Sequence, residues 1–518
     1  MIDATGLLRL YARYRTAQLN REDAVAEQRR QLLRLVRTSS NTRFGRDHGF
    51  AEIRSIADFQ ARVPVRRYEE MWTTYWRRDF PRLVDCSWPG TIPFFALSSG
   101  TTTGTTKYIP CSRDMNRSNK RAAIDLLVHH VTNRPQSRVL GGRNFMLGGS
   151  TDLVENAPGI RSGDLSGIAI SQIPWWAWSY CFPPPRLALI TDWEEKIDRL
   201  ARAALTEDIR TITGTPSWLL IFFERLFALG PQRAGRLSGF FPNLELLAHG
   251  GVNFAPYRHQ FEALLEGSHA ELREVYPASE GFIAIADRGC DDGLRLIADN
   301  GLFYEFVPTG ELERAQPTRH WLGNAEIDVD YAVVLSTCSG LWAYVLGDTI
   351  RFQHLQPPRI IVTGRTSYFL SAFGEHLSGA EIEQAVGRAA AAIPAAVADF
   401  AVGAVFPDAL QKRGSHLYIV EFTDAIPEPA GIGAFAQRID TELSRANDDY
   451  RIHRAGGFGL EPPAVMVVRH GTFAAWMKHR GQLGGQHKVP RIIADPVLFA
   501  ELRQFAAGGR TDDMFAVR

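Results

Sequence analysis

The chain has 518 residues, more than one hydrophobic core usually supports, so two or more domains are expected. Its 58 Lys and Arg against 57 Asp and Glu leave a formal net charge of +1, which removes any generic attraction to nucleic acid or to an acidic membrane, and neither is expected as a partner. The five cysteines, Cys86, Cys111, Cys181, Cys290 and Cys338, form no C-x-x-C pair, which argues against a disulfide framework or a zinc site and for a reducing, cytoplasmic setting.

The first residues, "MIDATGLLRLYARYRTAQL", alternate apolar residues with arginines and lack the unbroken apolar run of a secretory signal; they predict a helix packed on the body. Helical patterns dominate the first eighty residues, as in "AEQRRQLLRLVR", where Leu32, Leu33, Leu35 and Val36 supply one apolar side. There follows "FFALSSGTTTGTTKYIP" (94–110), an apolar run that opens into Ser, Thr and Gly and closes on Lys107. Small side chains leave backbone N–H groups reachable and hydroxyls add donors, so such a loop after a strand can cradle phosphate oxygens. It is not a P-loop: Gly100 and Gly104 are too close together, and Thr105 and Thr106 separate the second glycine from Lys107. A flexible hydroxyl-rich loop is the alternative.

Arg117, Arg121, His129 and His130 share a polar, helix-like stretch in which an arginine could pair with a substrate carboxylate or face water. Adjacent histidines point to different sides of a helix, so no metal pair is expected there. In "SQIPWWAWSYCFPPP" (171–185), Trp175, Trp176, Trp178, Tyr180 and Phe182 lie between prolines, able either to wall a hydrophobic acid site or to pack on the core. In "VYPASEGFIAIA" (275–286) a β-type run reaches Tyr276, Pro277 is expected to break the ladder, and Ser279 and Glu280 follow in a turn. A carboxylate at a strand end can hold a metal beside a ligand, or be a solvated turn acid.

The segment "DYAVVLSTCSGLWAYVLGDTIRF" predicts strands over 331–336, 341–346 and 349–352, with Gly347 and Asp348 in a turn between the last two. Asp348 is there either for turn chemistry or to accept ribose hydroxyls. A domain boundary is expected near Gly364 and Arg365. Beyond it comes a smaller α+β unit, whose first helix is announced by Ser378 and Glu381 at capping-box spacing and whose strands lie near "FAVGAVF", "HLYIVEF" and "AVMVVRH". The apolar stretch at 389–406 is interrupted by Pro394 and Asp399, so it predicts a helix end and then a buried strand near Phe400, not a membrane span. The glycine-rich "GQLGGQHKVPR" (481–491) delivers Lys488 late in the chain.

The order of these motifs, a hydroxyl-rich loop, Tyr-x-x-Ser-Glu, Tyr-x-x-Gly-Asp, a Gly-Arg boundary and a late lysine, resembles the adenylate-forming superfamily. Within it, "SSGTTTGTTKYIP", "GTPSWLLIFFERL", "FPNLELLAHGG", "VYPASEGF", "YVLGDTIRF", "GRTSYFLSAFGEHLSGAEIEQAV" and "QHKVPR" resemble the plant auxin-responsive (Gretchen Hagen) acyl-acid amido synthetases and their bacterial relatives. The resemblance implies an α/β fold: a large N-terminal adenylate-forming domain of mixed sheets and helices over 1–363, and a smaller mobile α+β lid over 364–518. It implies ATP and Mg2+ as cofactors, and a small carboxylic acid and an amino acid as substrates. By the same resemblance, Ser98, Ser99, Thr101 and Thr102 line the triphosphate. Gly250 and Gly251, with Tyr276, Pro277, Ala278 and Ser279, frame the adenine and the adenylate. Glu280 is the Mg2+-side carboxylate, Asp348 holds the ribose, Arg365 lies at the boundary that binds nucleotide, and Lys488 is the catalytic lysine.

The sequence departs from the plant pattern in its threonine-rich loop, in Thr366, and in His376 where plant members usually carry a lysine. The implied activity is an acid–amino acid ligase that adenylates a carboxylate and hands the acyl group to an amine. An adenylating enzyme that uses a thiol acceptor, and a silent binding protein, are the alternatives. The ligase reaction needs no covalent enzyme nucleophile, so the absence of a Gly-x-Ser-x-Gly elbow is consistent with it.

Overall fold

A computed structural model describes residues 2–98, 107–148, 153–190, 193–233, 235–251, 254, 257–289, 292–366, 369–370, 377–393, 396–406, 414–423, 427–447, 450–451, 454, 460–481, 489–493 and 495–508, with the backbone alone at 193, 217, 365 and 369. It divides into two compact units, Met1–Val252 with Gln260–Val362, and Asn253–His259 with Thr363–Arg518. The division near the end of the first unit falls inside the strand Pro358–Arg365.

The first unit is organised by a sheet of twelve strands among the described residues. Its parallel half contains Glu271–Ala278, Leu246–Gly250, Ile209–Gly214, Arg143–Leu147 and Cys181–Phe182, in that spatial order. Strands of this kind are covered on both faces and read as apolar runs; in Leu246–Gly250 the four residues before the terminal glycine are all buried. The helix Pro216–Leu229 connects two of these strands and begins on a proline, whose missing N–H costs nothing in a first turn. The other half includes antiparallel pairings of Gly281–Ile285 with Glu271–Ala278, and of Asp330–Thr337 with Leu302–Pro308 and Tyr344–Leu355. A second, four-stranded sheet contains the hairpin of Phe94–Ser98 and Lys107–Cys111.

The helix Thr5–Asn20 packs on Arg113–Asn133 through Leu8, Ala12, Val128 and Val131, as its pattern predicts. Its buried Arg15 is held by Asp125 and Asp299. The helix Ala24–Thr38 buries Leu32, Leu35 and Val36, while Leu33 is half-buried.

The second unit has a three-stranded sheet, Val397–Val405, Ser415–Phe422 and Ala464–Val468. Helices Gly379–Ala390 and Pro429–Ala446 pack through Ile382, Val386, Phe435 and Ile439 into one core, and Phe473, Trp476, Phe499 and Leu502 form another. The capping box of Ser378 and Glu381 is formed, and the strand expected near Phe400 begins three residues earlier. Among the described residues no helix is long and apolar enough to cross a membrane.

Two expectations about strands are corrected. Pro277 does not break the ladder, because Glu271–Ala278 runs through it and pairs Pro277 with Phe282. The parallel neighbour Leu246–Gly250 ends its pairing at Val275, so the missing N–H of Pro277 lies beyond the last bond it would have had to make on that side. Gly347 and Asp348 do not form a turn between two strands either. Tyr344–Leu355 is continuous, and its register against Asp330–Thr337 jumps between Val334↔Val345 and Ala332↔Thr349. Val333 therefore faces a bulge of Leu346, Gly347 and Asp348, in which Gly347 takes φ +94, a conformation costly for any residue with a Cβ.

Candidate functional site

The hairpin turn between Glu271–Ala278 and Gly281–Ile285 consists of two residues, Ser279 and Glu280, since Ala278 pairs with Gly281. Both are buried, and Glu280 is only 7 % exposed. That rules out a solvated turn acid: a carboxylate at this depth requires hydrogen-bond donors. Tyr344 is buried within electrostatic reach of it, and burial together with the Glu280 charge pushes the Tyr344 pKa well above its ordinary value. Asp348, presented by the bulge four residues further along the same strand, accepts the Tyr276 hydroxyl at 2.5 Å.

The base of the hydroxyl-rich loop adjoins this pair. Ser98 and Lys107 face each other across the ends of their hairpin. The Lys107 ammonium lies 5.4 Å from the centroid of the Tyr68 ring, and the Tyr68 hydroxyl accepts the Tyr108 backbone N–H at 2.9 Å. Burial pushes the Tyr68 pKa up to about 12, and Tyr68 lies within electrostatic reach of Tyr344. Lys107 and Tyr68 thus meet at the base of the loop, and two residues before Tyr68 the Arg66 backbone pairs with Tyr344.

On the other side, Gly250 pairs with Val275 at the end of the neighbouring parallel strand. A Cβ there would lie 2.3 Å from the Val275 carbonyl oxygen, so the close approach of these two strands depends on glycine. Gly251 follows, exposed and at φ +84. The structure therefore brings together Gly250, Gly251, Tyr276, Pro277, Ala278, Ser279, Glu280 and Asp348 around strand ends of the twelve-stranded sheet, while Ser98 ends a strand of the second sheet opposite Lys107. Ser99, Thr101, Thr102 and Lys488 lie outside the described residues, and Arg365 ends the strand Pro358–Arg365 with only its backbone described.

The other candidates are engaged elsewhere. Arg117 pairs with Asp114, and Arg121 with Asp299. His130 is buried between Glu271, whose carboxylate meets Nδ1 at 2.8 Å, and Ser137, whose hydroxyl meets Nε2 at 3.0 Å; burial depresses the His129 pKa to about 4. In the aromatic segment Trp175 and Trp176 are 86 % and 63 % exposed on a 3-10 turn, while Phe182 is buried edge-on against Phe145. Sequence reasoning gave no role to Tyr344 or Tyr68. The available signal was a spacing: Tyr276 precedes Glu280, and Tyr344 precedes Asp348, by the same four residues.

Oxygen donors of this kind suit Mg2+. Among the described residues no group of three or more His, Cys, Asp or Glu forms a protein-only metal cage; Mg2+ that arrives with nucleotide phosphates needs only one or two carboxylates. The residues present fit such an ion, with Glu280 as the group to meet it.

Three family models match the chain in order: GH3 family N-terminal domain over 14–185 and 155–270, GH3 family central domain over 295–365, and GH3 family C-terminal domain over 380–497. The probable indole-3-acetic acid-amido synthetase GH3.9 of Oryza sativa subsp. japonica is 30 % identical over 239 residues, 43 % of this chain and 53 % of that protein, so the chain spans about half the length of this curated relative. Among solved structures, AtGH3.15 acyl acid amido synthetase in complex with 2,4-DB superposes with a TM-score of 0.79 at 18 % identity, covering 94 % of both chains. A 2-hydroxyisobutyryl-CoA ligase in the postadenylation state with 2-HIB-AMP gives 0.59 at 14 %, covering 92 % of this chain and 91 % of that one. The fold is that of the adenylate-forming proteins, and with its N-terminal, central and C-terminal domains matched in order the chain belongs to the GH3 family.

Proposed function

We propose that this chain is an ATP-dependent acyl acid–amino acid ligase of the AMP-forming kind. It joins a small carboxylic acid to AMP with release of pyrophosphate, then passes the acyl group to the amine of an amino acid. The observation that carries this reading is the convergence of Glu280, buried in its hairpin turn, and Asp348, held by the Tyr276 hydroxyl, beside the glycine-ended strand Leu246–Gly250 in a GH3 chain. The names of the relatives, an amido synthetase for indole-3-acetic acid and an acyl acid amido synthetase that binds 2,4-DB, support an acyl acid as first substrate.

A carboxylate is a poor electrophile because its leaving group is oxide; once it has attacked the α-phosphorus of ATP, AMP becomes the leaving group. That attack crowds negative charge onto phosphoryl oxygens, and Mg2+ supplies countercharge where it builds. Glu280 would hold the ion from the hairpin turn. Asp348 accepts the ribose hydroxyls and fixes the nucleotide along the strand end. Gly250 and Gly251, with 276–279, frame the adenine and the adenylate. The Ser98 to Thr102 segment offers N–H and hydroxyl donors to the triphosphate, with Lys107 adding positive charge at its base. The part from 364 onward is a lid that turns about 364–366, brings Lys488 to the adenylate for the second step, and keeps water away from it. Arg365 contributes to nucleotide binding from this hinge.

The threonine-rich loop and His376 support a bacterial rather than a plant member of the family. The free thiols Cys86, Cys111, Cys181 and Cys338 support a cytoplasmic location.

The test is acid-dependent pyrophosphate release from ATP across aryl, indole-type and jasmonate-like acids, with and without an amino-acid mixture. Release that rises with amino acids, accompanied by AMP and an amide, is the expected result. A product that requires coenzyme A instead would move the chain to the thiol-dependent class. ATP binding with no release for any acid, unchanged in Glu280→Ala, would overturn the enzymatic reading.

A further inference from the structure

The helix Thr5–Asn20 is apolar on two opposite faces. Toward the body it buries Leu8, Ala12, Arg15 and Leu19. Toward solvent, Leu7, Leu10 and Tyr14 are 73 %, 62 % and 69 % exposed, and Ala17 is exposed after them. These four follow one another at intervals of three, four and three residues, the a and d positions of two heptads. The outer face of a surface helix is ordinarily charged or polar, and here the exposed Arg13 lies to one side of the stripe.

The stripe is presented on a fixed support. Arg15 is held by Asp125 and Asp299 on the buried face, and Asp3, just ahead of the helix, accepts the Thr5 N–H at 3.0 Å and the Arg138 Nε at 2.9 Å. The Tyr180 hydroxyl donates to the Ile2 carbonyl at 2.8 Å, so the aromatic turn Trp175–Tyr180, with its two exposed tryptophans, adjoins the start of the helix. With about 150–250 Å² for a whole aromatic side chain, the exposed parts of Tyr11, Tyr14, Trp175 and Trp176 come to about 500 Å². The exposed Ile2, Leu7 and Leu10 bring the patch level with the share of one partner in a standard interface, about 800 Å². That is more than the about 300–600 Å² of the largest patch on an ordinary monomer.

The spacing selects the occupant. Intervals of three, four and three read the same in both directions, so an antiparallel second copy of the helix sets Leu7 against Ala17 and Leu10 against Tyr14. The same reversal brings Asp3 of one copy toward Arg21 of the other, opposite charges at both ends of the seam. Antiparallel helix dipoles favour this sense, and at a net charge of +1 two copies approach without long-range repulsion. A lipid surface would have no use for a stripe that is its own reverse.

We propose that the chain forms a two-fold dimer in which the exposed face of the helix Thr5–Asn20 seats antiparallel on the same helix of a second copy.

The experiment is sedimentation of the full chain over a range of concentrations, with thermal unfolding at the lowest. The wild type is expected to approach twice 57.8 kDa and to dissociate on dilution. Leu7→Glu enters the seam twice by symmetry and buries an unpaired carboxylate each time, so it is expected to raise the dimer Kd about a hundredfold or more. Adding Ala17→Lys sets an ammonium against each carboxylate. Within one helix positions 7 and 17 are too far apart to pair, so the expected recovery of the dimer comes only across the two-fold. Both sites are exposed, and the dilute unfolding temperature is expected to stay where it is in both variants. A wild type that remains at 57.8 kDa at every concentration, or a dimer indifferent to Leu7→Glu, overturns the proposal. Absence of recovery in the double variant overturns the antiparallel seam, and binding of the monomeric wild type to neutral phospholipid vesicles would give the face to a lipid surface instead.

Discussion

Gly250→Ala isolates the close strand approach beside the candidate site. A Cβ at this position would sit 2.3 Å from the Val275 carbonyl oxygen and 3.2 Å from Pro277 Cδ, against 3.4–4 Å for ordinary van der Waals contact. The obstacle is backbone, so no rotamer relieves it, and Leu246–Gly250 and Glu271–Ala278 must separate locally by about 1 Å. Overpacking of this kind costs about 1–3 kcal/mol. The displaced carbonyl belongs to the residue before Tyr276, whose hydroxyl holds Asp348, so nucleotide binding is expected to fall with stability. A misplacement of about 1 Å at reacting groups can cost about a hundredfold in rate. The control is Gly310→Ala, where a Cβ meets nothing within 4 Å. Thermal unfolding and ATP affinity are measured on both. Equal behaviour of the two variants would falsify the reading of Gly250 as the residue that admits the strand beside the nucleotide.

Two pH effects follow from buried charges away from the candidate site. Burial lowers the His130 pKa, but the Glu245 carboxylate 3.7 Å from Nε2 and the Glu271 carboxylate on Nδ1 outweigh it, and the net shift is upward from 6.5. Burial raises Glu245 and Glu271, yet their polar partners, His130 foremost, hold both down to about 2. A raised histidine adds stability that is complete below pH 6.5 and is lost as pH climbs through the folded value; a lowered acid adds stability above its ordinary 4.5 that is lost toward pH 2. The unfolding-temperature advantage of the wild type over His130→Gln is therefore expected to peak between about pH 4.5 and 6.5, and an advantage that is constant from pH 5 to 9 would sink the argument. Lys196 is 2 % exposed, and burial lowers its pKa from 10.5 to about 8. The unfolded chain then binds more protons between those values, so stability gains from Lys196 as pH rises from about 8 to 10.5. Lys196→Met is expected to remove that rise, read as a flatter difference between the two unfolding curves, and an unchanged slope would refute it.

Much of the fold was legible because its signals are local. The apolar stripe of the helix Ala24–Thr38, the Ser378 capping box and the three strands of the second unit each depend on residues within a turn or two of one another. The misplaced breaks came from rules that hold only in context. Proline interrupts a strand only where its N–H was needed, and at Pro277 the neighbouring ladder had already ended. Gly-Asp reads as a turn in sequence, but a register jump of the same composition makes a bulge when both flanking runs pair with one partner strand.

The candidate site was legible in its acids and, by resemblance, in Tyr276, but not in what the Tyr276 hydroxyl holds, and the reason is physical. Glu280 and Asp348 carry charge, so any pattern that places them after a strand draws attention to chemistry. Tyr276 and Tyr344 sit in apolar runs where a ring is ordinarily part of the core, and both rings are indeed buried. What distinguishes Tyr276 is where its hydroxyl goes, and that depends on two strands remote in sequence lying so that it reaches Asp348. The bulge at Gly347 determines that contact. Without the extra residues opposite Val333, Asp348 would keep the strict alternation of an uninterrupted strand. The conformation that misled the strand prediction is thus the one that presents the acid to Tyr276, which is why the error and the site fall on the same residues.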